Sequence, residues 1–538
     1  MTQFYHGTAY PGGQVYFGGT QDNGTVLGAD AAGRGEWLEA LGGDGGYVAV
    51  DPSDANLIYM ETTELSLRKS ADGGNTLRRV TSGITEPSSN FAFITPFTLD
   101  PNESRRLWIG GRSLWRSEDR AESWSAASQP LEEGKVSALA VARGDSNRVL
   151  GGTDRGYIHR SSEALAATEN TAWPATRPRT GFVSSLTFDP TNPDVAYATY
   201  STFNSAGQTG HVFRSTDAGA TWSSVDGEGD SGIPDIPVHS LVVDPDNPQT
   251  LYVGTDLGVF VSLDGGASWM REDTGFPNTV VEALALDRSG GGSTLFAFTH
   301  GRGAWRVRLG GAPACVYKVT DGTATIDAAG GLVNVGSIET ADNCTWSTIA
   351  IASWLVPEPA NRTGSGPLTV RASVNSTTRP RTGAVLVADR RIQVTQPAPA
   401  FAGNNDEPER ATAIARLPYA AIQDTRTATS SASDPRHSCT ETGDSRTVWF
   451  RFTAPAAGTA VATATLTRYD NGRNAGVVLT AYPFSAARGD ELACAKDSGG
   501  LAELRFAVAA GESYLVQVSG EGSANPGGFL VFALNRVD

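Results

Sequence analysis

A recurring turn pattern constrains the fold of this chain more than any other feature. The pattern is Ser-x-Asp-x-Gly-x-x-Trp, and it occurs in full at Ser215–Trp222 and at Ser262–Trp269. Two further copies carry one change each: Ser117–Trp124 has Ala in place of Gly, and Ser70–Leu77 ends in Leu. Asp accepts hydrogen bonds from backbone amides just ahead of it, and Gly adopts positive φ without steric cost, so each copy predicts a tight turn.

The turn copies recur at a regular interval. Asp72 and Asp119 are 47 residues apart, and so are Asp217 and Asp264, whereas the gap from Asp119 to Asp217 is 98 residues, close to two intervals. A weakened copy around Ser161 falls inside that gap. Repeats of roughly 40–50 residues, with about four strands each, are typical of the blades of a β-propeller.

Seven such units can be placed along residues 1–310, so we expect seven blades, with six or eight as the alternatives. Several units contain an Asp-Pro turn, such as Asp51-Pro52 and Asp244-Pro245, which is suited to the end of an inner strand. The last unit ends at Trp305–Arg308 without the turn pattern. Its fourth strand is expected from the N-terminus, which would close the ring, or from residues upstream of this sequence.

The four turn copies resemble the Asp-box (BNR) repeats of sialidase-like and sortilin-type propellers. In that family the Asp box is a structural turn at the edge of the blade, so the resemblance implies structural rather than catalytic roles for Asp72, Asp119, Asp217 and Asp264. True sialidases also carry an Arg-Ile-Pro motif, which is absent from this sequence. We therefore exclude sialidase activity.

Residues 315–397 resemble the BACON domain, a small immunoglobulin-like sandwich found beside carbohydrate-active modules. The resemblance rests on Cys344-Thr345-Trp346, Trp354-Leu355 and the closing Val394-Thr395-Gln396. It implies either a spacer or a sugar-binding module. In the second case Trp346 and Trp354 would form the sugar platform, although a sandwich core commonly buries such a Trp.

Residues 404–538 resemble the pre-peptidase C-terminal domain, a jelly-roll-like sandwich of secreted bacterial enzymes. The resemblance rests on segments such as Val448–Pro455 and Gly511–Val518. Some members of that family bind calcium, and Asp470 and Asp497 are the candidate ligands here. A Ca²⁺ site needs six or more oxygens, and two loop aspartates are more often turn formers, so we expect no cofactor.

Charge and cysteine content narrow the partners and the compartment. The net charge of the 538-residue chain is −16, which argues against nucleic acid and anionic membranes as partners. The sequence contains no run of 18 apolar residues, so we expect no insertion into a membrane. The four cysteines fall as Cys315 and Cys344 in one module and Cys439 and Cys494 in the next, which favours one disulfide per module and an oxidising compartment over a metal site.

The beginning of the sequence resembles no signal peptide. Met1–Tyr5 leads directly into a strand-like segment. The cysteines favour an oxidising compartment, so we expect a secreted or cell-surface protein. Because no signal peptide is present, we expect that its N-terminus has been truncated.

Two glycine-rich loops of the first unit are the candidate site. One is Gly18–Thr25, which contains Asp22, and the other is Gly42–Tyr47, which contains Asp44. The second loop looks like the loop that bears a catalytic Asp in tandem-propeller xyloglucanases, whose partner Asp comes from the other propeller. Hydrolysis of a glycosidic bond needs two carboxylates, and Asp22 is the nearby candidate for the second. The alternative is that both aspartates form turns, and the sequence does not establish that they converge.

The sequence leaves open two functions from different classes. The first is non-catalytic recognition of a polysaccharide or a cell-surface glycoprotein, with Tyr47 and His300 as ligand-binding candidates on the propeller. The second is a glycoside hydrolase acting on β-glucan or xyloglucan through Asp44. No Gly-x-Ser-x-Gly or His-Glu-x-x-His motif suggests another hydrolase chemistry.

Overall fold

The protein is built from β-strands, and short antiparallel sheets dominate its first 309 residues. The structure is a computed structural model. It describes residues 2–131, 134–205, 207–272, 275–288, 293–309, 315–320, 323–375, 377, 379–388, 390–401, 405–430, 434–435, 437–440, 443–468, 473–484, 490–497, 500–522 and 525–537. The described residues also form five 3₁₀ helices, at Asp30–Ala32, Ser88–Asn90, Ala164–Ala166, Gly229–Ser231 and Pro408–Arg410.

Seven consecutive sheets form the blades of a β-propeller, each with its strands in chain order from the inside outwards. Blade 1 contains β1 (Phe4–Ala9), β2 (Val15–Thr20), β3 (Gly24–Ala29) and β4 (Trp37–Leu41). Blade 2 contains β5 (Val48–Asp51), β6 (Asp54–Glu61), β7 (Leu67–Ser70) and β8 (Arg78–Arg79). Blade 3 contains β9 (Phe97–Asp100), β10 (Glu103–Gly110), β11 (Leu114–Ser117) and β12 (Ser125–Ala126). Blades 4 and 5 contain β13 (Val136–Ala142), β14 (Asp145–Thr153), β15 (Ile158–Ser161), β16 (Ala175–Thr176); β17 (Val183–Phe188), β18 (Ala196–Tyr200), β19 (Val212–Ser215) and β20 (Ser223–Ser224). Blades 6 and 7 contain β21 (Val238–Val243), β22 (Leu251–Thr255), β23 (Gly258–Ser262), β24 (Met270–Arg271); β25 (Val281–Asp287), β26 (Ser293–Thr299) and β27 (Ala304–Leu309).

The ring closes in a different way from the one expected. The N-terminal strand β1 is the inner strand of blade 1, so the expectation that the N-terminus supplies a fourth strand to blade 7 is wrong. Blade 7 has three strands in the described part of the chain. Closure comes instead from packing of β1 against β25, from a ring contact of 5.3 Å between Phe4 and Phe298, and from a bridge between Gln3 and His300.

The four Asp boxes form the turn between the third and fourth strands of their blades. In the box of β19 and β20, Asp217 Oδ1 accepts hydrogen bonds from Ser215 Oγ at 2.8 Å and from Thr221 N at 2.8 Å, and Asp217 Oδ2 accepts one from Thr221 Oγ1 at 2.6 Å. The same bonds recur around Asp72, Asp119 and Asp264. These bonds to the charged carboxylate lower the pKa of Asp217 and of Asp264 to about 2.

The tryptophan that follows an Asp box links its blade to the preceding one. The indole Nε1 donates to a group at or just beyond the fourth strand of that preceding blade, and the four pairs are Trp124 with Val80 O (2.8 Å), Trp173 with Ala127 O (2.9 Å), Trp222 with Thr176 Oγ1 (3.1 Å) and Trp269 with Val225 O (2.8 Å). The weakened copy around Ser161 thus keeps this link through Trp173. The interfaces of blades 2 to 6 are therefore all joined in the same way.

Two sheets after the propeller pack as an immunoglobulin-like sandwich. Their orders are β28-β30-β34-β32 and β29-β36-β35-β31-β33. The strands are β28 (Lys318–Val319), β29 (Thr323–Thr325), β30 (Gly331–Glu339), β31 (Thr345–Ala350), β32 (Leu355–Pro357), β33 (Asn361–Thr363), β34 (Gly366–Ala372), β35 (Arg381–Val387) and β36 (Arg390–Gln396).

The two candidate tryptophans of this sandwich occupy different environments. Trp346 has no exposed surface and donates from Nε1 to Gly364 O at 2.9 Å, so its assignment to a sugar platform is wrong: the ring belongs to the core. Trp354 is half-buried, and the Arg381 guanidinium lies 4.5 Å from the centre of its ring. One face of Trp354 is therefore already occupied by a cation.

The sandwich docks on blades 1 and 2 instead of hanging from a linker. Asn56 Nδ2 donates to Pro357 O at 2.6 Å, and Asn361 Oδ1 accepts from Ala55 N at 3.0 Å. Ile349 and three further sandwich residues share a hydrophobic cluster with both blades, in which Leu77 of the turn copy Ser70–Leu77 also packs. The sandwich thus covers the interface at which Leu77 replaces the linking tryptophan.

The last segment forms a second, larger sandwich. One sheet has the order β37-β39-β47-β41-β42 with β45 also on β41, and the other has the order β38-β40-β46-β43-β44. The strands are β37 (Ala400–Phe401), β38 (Thr412–Ile414), β39 (Tyr419–Asp424), β40 (Ser445–Thr453), β41 (Gly458–Thr467), β42 (Asn474–Ala475), β43 (Val477–Pro483), β44 (Ala493–Asp497), β45 (Ala502–Val508), β46 (Ser513–Gly520) and β47 (Phe529–Val537).

The cysteine pairs are joined as predicted, Cys315 to Cys344 and Cys439 to Cys494. Of the calcium candidates, Asp470 lies outside the described residues, and Asp497 accepts a hydrogen bond from Gly500 N. Within the described residues, no group of three or more His, Cys, Asp and Glu side chains is arranged to hold a metal ion. No helix in this part of the chain is long and apolar enough to cross a membrane.

Candidate functional site at the mouth of the central channel

The inner strands of the seven blades surround a central channel. At the end where these strands begin, the channel opens into a cavity of about 560 Å³. Deeper along the strands its wall mixes aliphatic residues such as Val50 and Leu99 with Thr98 and Thr187, and its rim carries polar and aromatic side chains. A concave opening that combines apolar surface with convergent polar groups is the usual form of a ligand site. The Asp boxes, which join third to fourth strands, lie at the opposite end of the blades.

Five of the seven inner strands are interrupted by a β-bulge near their first residue. In each of them one residue has no partner on the second strand of the blade, and these bulged residues are Tyr5, Ser137, Ser184, His239 and Glu282. A bulge re-aims the side chain of its extra residue, and bulges are over-represented next to functional sites. All five bulged residues line the cavity.

The two bulged serines connect neighbouring blades. Ser137 Oγ of blade 4 donates to Val183 O of the blade 5 inner strand at 2.7 Å. Ser184 Oγ of blade 5 donates to Val238 O of the blade 6 inner strand at 2.6 Å. Both hydroxyls are therefore engaged within the ring. The larger bulged side chains lie on blades 6, 7 and 1, so the chemistry of the mouth is concentrated on that side.

Blades 6 and 7 place two carboxylates and two imidazoles in alternation. His239 Nε2 lies 2.8 Å from Asp256 Oδ1, and His239 Nδ1 lies 3.4 Å from Glu282 Oε2. Glu282 Oε1 lies 3.6 Å from His300 Nδ1. We call these four residues the carboxylate–imidazole chain. His300, a ligand-binding candidate from the sequence, thus lies beside Glu282, a carboxylate of the cavity wall.

The two candidate aspartates of blade 1 do come together. Asp22 N donates to Asp44 Oδ1 at 2.8 Å, and Asp44 also bridges to Gly24. Asp22 has a φ of 57°, in the left-handed region, so this bond holds the backbone in a conformation that a side chain disfavours. One oxygen of Asp44 therefore fixes the turn that presents the exposed Asp22 carboxylate.

Tyr5 lies between these two groups of carboxylates. Burial raises the pKa of the Tyr5 phenol, and the nearby charges of Asp44, Asp22 and Glu282 raise it further. The hydroxyl therefore stays protonated and can donate a hydrogen bond at the rim. The ring of Tyr5 also meets the edge of Phe93 at 6.5 Å.

Tyr47 is packed more closely than a free binding platform would be. Its ring stacks on His6 at 4.2 Å, and burial followed by the charge of Glu61 raises its pKa to about 12. Burial also lowers the pKa of His6 to about 4, so this imidazole is neutral near pH 7. Tyr47 still contributes to the cavity wall, but one face of its ring is covered.

Exposed aromatic rings surround the polar groups of the mouth. Phe182 lines the cavity and is 41% exposed, and Phe93 beside Tyr5 is 55% exposed. The mouth thus combines apolar ring surfaces with both hydrogen-bond donors and hydrogen-bond acceptors.

Sequence reasoning missed Tyr5, His239, Glu282 and Asp256. A signal was nevertheless present, because each bulged residue follows an apolar residue that begins the inner strand, as in Phe4-Tyr5, Val238-His239 and Val281-Glu282. Aligning the seven units on that apolar residue would have placed these side chains at equivalent positions. The convergence of Asp22 and Asp44 had no comparable signal.

Comparison with known proteins gives partial similarity to glycoside hydrolases. No protein-family model matches the chain. A xyloglucanase from Paenibacillus sp is 25% identical over 244 residues, which cover 42% of this chain and 20% of the xyloglucanase. The chain therefore spans about a fifth of the length of that relative.

Several solved structures have partial similarity in shape. An ancestral GH74 enzyme is 18% identical, with a TM-score of 0.39 over 49% of this chain and 36% of that one. The GH74 xyloglucanase from Xanthomonas campestris is 18% identical, with a TM-score of 0.41 over 57% and 52%. YCF48 bound to D1 peptide is 13% identical, with a TM-score of 0.40 over 58% and 94%. The propeller assignment rests on the sheets described above.

Proposed function

We propose that this protein recognises a glycan without cleaving it, and that the mouth of the propeller channel holds the sugar. The observation that carries the proposal is the composition of this mouth. The exposed ring of Phe182 lines the cavity together with hydrogen-bonding groups of Tyr5, His239 and Glu282, and the exposed ring of Phe93 packs on Tyr5. Aromatic surface with a few precisely placed polar groups suits a ligand that is apolar on its faces and polar at its edges, as a sugar ring is.

The rest of the chain is consistent with a role outside the cell. Two disulfides join Cys315 to Cys344 and Cys439 to Cys494, and such bonds persist in oxidising compartments. The first sandwich docks on the blades at the end opposite the mouth, through Asn56 and Asn361. The first sandwich then leaves the mouth free, and a polymer can reach it.

Glycoside hydrolysis is the second candidate function. It is favoured by the 2.8 Å hydrogen bond from the Asp22 backbone N–H to the Asp44 carboxylate, which holds the two aspartates in one loop cluster, and by the partial similarity to a xyloglucanase. Hydrolysis needs an acid on one side of the scissile bond and a base or nucleophile on the other. Here one oxygen of Asp44 is engaged by the backbone of Asp22, which is the arrangement of a turn, so we favour recognition.

The test is binding and cleavage by the full chain with xyloglucan, mixed-linkage β-glucan, galactomannan and chitin. We expect retention without release of reducing ends. Phe182→Ala should weaken binding by roughly tenfold, the usual effect of truncating a central aromatic contact. The matched control is Phe484→Ala, an equally exposed Phe of the second sandwich (46% exposed), which should bind as the wild type does.

Two outcomes would overturn the proposal. Release of reducing ends that is lost in Asp44→Asn would show a hydrolase. Failure to retain any glycan, in a chain whose melting profile is intact, would show that the mouth serves another ligand.

A further inference from the structure

The carboxylate–imidazole chain of blades 6 and 7 has an unusual hydrogen-bonding state. Its first contact, between His239 and Asp256, is an ordinary hydrogen bond of 2.8 Å. The two contacts of Glu282, at 3.4 and 3.6 Å, are longer than the 2.7–3.2 Å typical of such bonds. The Nδ1 atom of His300 is shielded from solvent and has no hydrogen-bond partner among the described residues. The carboxylate–imidazole chain is therefore preformed, but the two contacts of Glu282 are too long to be complete hydrogen bonds.

The position of this chain is imposed by the backbone. His239 and Glu282 are both bulged residues, at equivalent places on adjacent inner strands, and both line the cavity. At the same place on blades 4 and 5, the small side chains of Ser137 and Ser184 reach the next blade and complete their bonds there. Among the described residues, the larger side chains of His239 and Glu282 thus occupy the same position without forming the short bonds to the next inner strand that the serines form.

We propose that the carboxylate–imidazole chain binds adjacent hydroxyl groups of a neutral sugar residue. This inference rests on the proposed glycan recognition and specifies its binding centre and ligand class. A hydroxyl can donate to a carboxylate oxygen and accept from an imidazole N–H, so it can complete the long contact between Glu282 and His239, both of which line the cavity. Two neighbouring hydroxyls match the two oxygens of one carboxylate.

Charge selects a neutral ligand over an anionic one. No Lys or Arg belongs to the cavity wall among the residues the structure describes. Asp22, Asp44 and Glu282 all act on Tyr5 at the same rim, so a uronate or a phosphate would meet like charges without a fixed cation. Tyr5 adds a protonated hydroxyl, which gives a third hydrogen-bonding group beside the proposed diol site.

The experiment is affinity electrophoresis of the full chain in gels that contain a soluble polysaccharide. The neutral probes are xyloglucan, mixed-linkage β-glucan and galactomannan, and the charged probes are polygalacturonate and chitosan. The variants are Glu282→Gln, which keeps the shape and removes the charge, and Asp256→Asn, which removes the charge of the carboxylate that contacts His239 at 2.8 Å. The matched control is Glu103→Gln, a charge removed at the far end of blade 3. A partially O-methylated form of the retained polymer tests the hydroxyls themselves.

The expected result is retention by at least one neutral polymer. Glu282→Gln should weaken it by roughly tenfold to a hundredfold, the usual effect of losing hydrogen bonds to a charged group. Asp256→Asn should weaken it less, Glu103→Gln should leave it unchanged, and O-methylation should abolish it. Thermal melts of all variants show that each is folded.

The remaining outcomes separate this inference from the broader proposal. Retention by neutral polymer that is equal in wild type, Glu282→Gln and Asp256→Asn would overturn the inference and leave glycan recognition standing. Retention by a charged polymer alone would overturn the ligand class in the same way. If no polymer in the panel retards the folded wild type, glycan recognition fails and the inference fails with it.

Discussion

The link between blades 5 and 6 gives a prediction whose size follows from the structure. Trp269 is 4% exposed, and its Nε1 donates to Val225 O at 2.8 Å. Trp269→Phe removes this bond, which is worth about 1 kcal/mol net, and leaves the half-buried Val225 carbonyl without this donor. Loss of part of the indole from the packed cluster around Leu251 adds about 1–2 kcal/mol. We therefore expect the local opening of this interface to become easier by roughly 2–3 kcal/mol.

Hydrogen exchange measured by mass spectrometry is the suitable assay, because the chain has several domains and a single unfolding midpoint would mix them. In Trp269→Phe, the amides of β21–β24 that exchange through local opening should do so roughly 30- to 150-fold faster than in the wild type. The amides of β9–β12 should not change.

A second tryptophan provides the control. Trp305 also donates from Nε1 to a carbonyl, Arg302 O at 2.9 Å, but it is 42% exposed and lies within one blade. Trp305→Phe should change exchange by less than threefold or so, as surface substitutions usually do. Equal effects of the two variants, or an effect of Trp269→Phe spread evenly around the ring, would refute the role assigned to the tryptophan links.

Three further predictions concern the rest of the molecule. Asn361→Ala removes the acceptor for Ala55 N and should raise hydrogen exchange in β5–β8 while leaving blades 3 to 6 unchanged, which the same mass-spectrometric measurement checks. Gly46→Ala should destabilise the propeller by about 1–3 kcal/mol and displace the loop that carries Asp44, because the new methyl group would overlap Glu61 Oε2. Calorimetry should show this loss against a Gly35→Ala control, at which nothing lies within 4 Å of the added carbon. Asp264 has a folded-state pKa of about 2, below the value of about 3.9 for an unfolded Asp. Its contribution to the free energy of unfolding is therefore fully present above about pH 4 and is lost as the pH falls towards 2. Melting temperatures measured between pH 6 and pH 2 should therefore fall more steeply in the wild type than in Asp264→Asn, and parallel curves would contradict the prediction.

The Asp boxes were readable from sequence because their bonds are local. The Asp264 carboxylate binds Ser262 and Ser268, which lie two and four residues away, so eight residues suffice to specify the turn. The repeat of this turn then predicted the blades and their number, since each unit carries the same strands. The disulfide pairs were predictable for a related reason, because each pair falls within one module.

The mouth of the channel and the contacts between modules depended on the closed ring. Tyr5 and Glu282 are separated by most of the propeller sequence, and they meet because blade 7 returns to blade 1. Sequence patterns did not show that Trp346 lies in a core, or that the first sandwich packs on blades 1 and 2, since both depend on which surfaces meet after the sheets have formed. The sequence by itself determined the turns, the strands and the repeating blade, whose bonds join near neighbours. The tertiary structure decided the candidate site, because its side chains converge only once the accumulated rotation of seven blades has closed the ring.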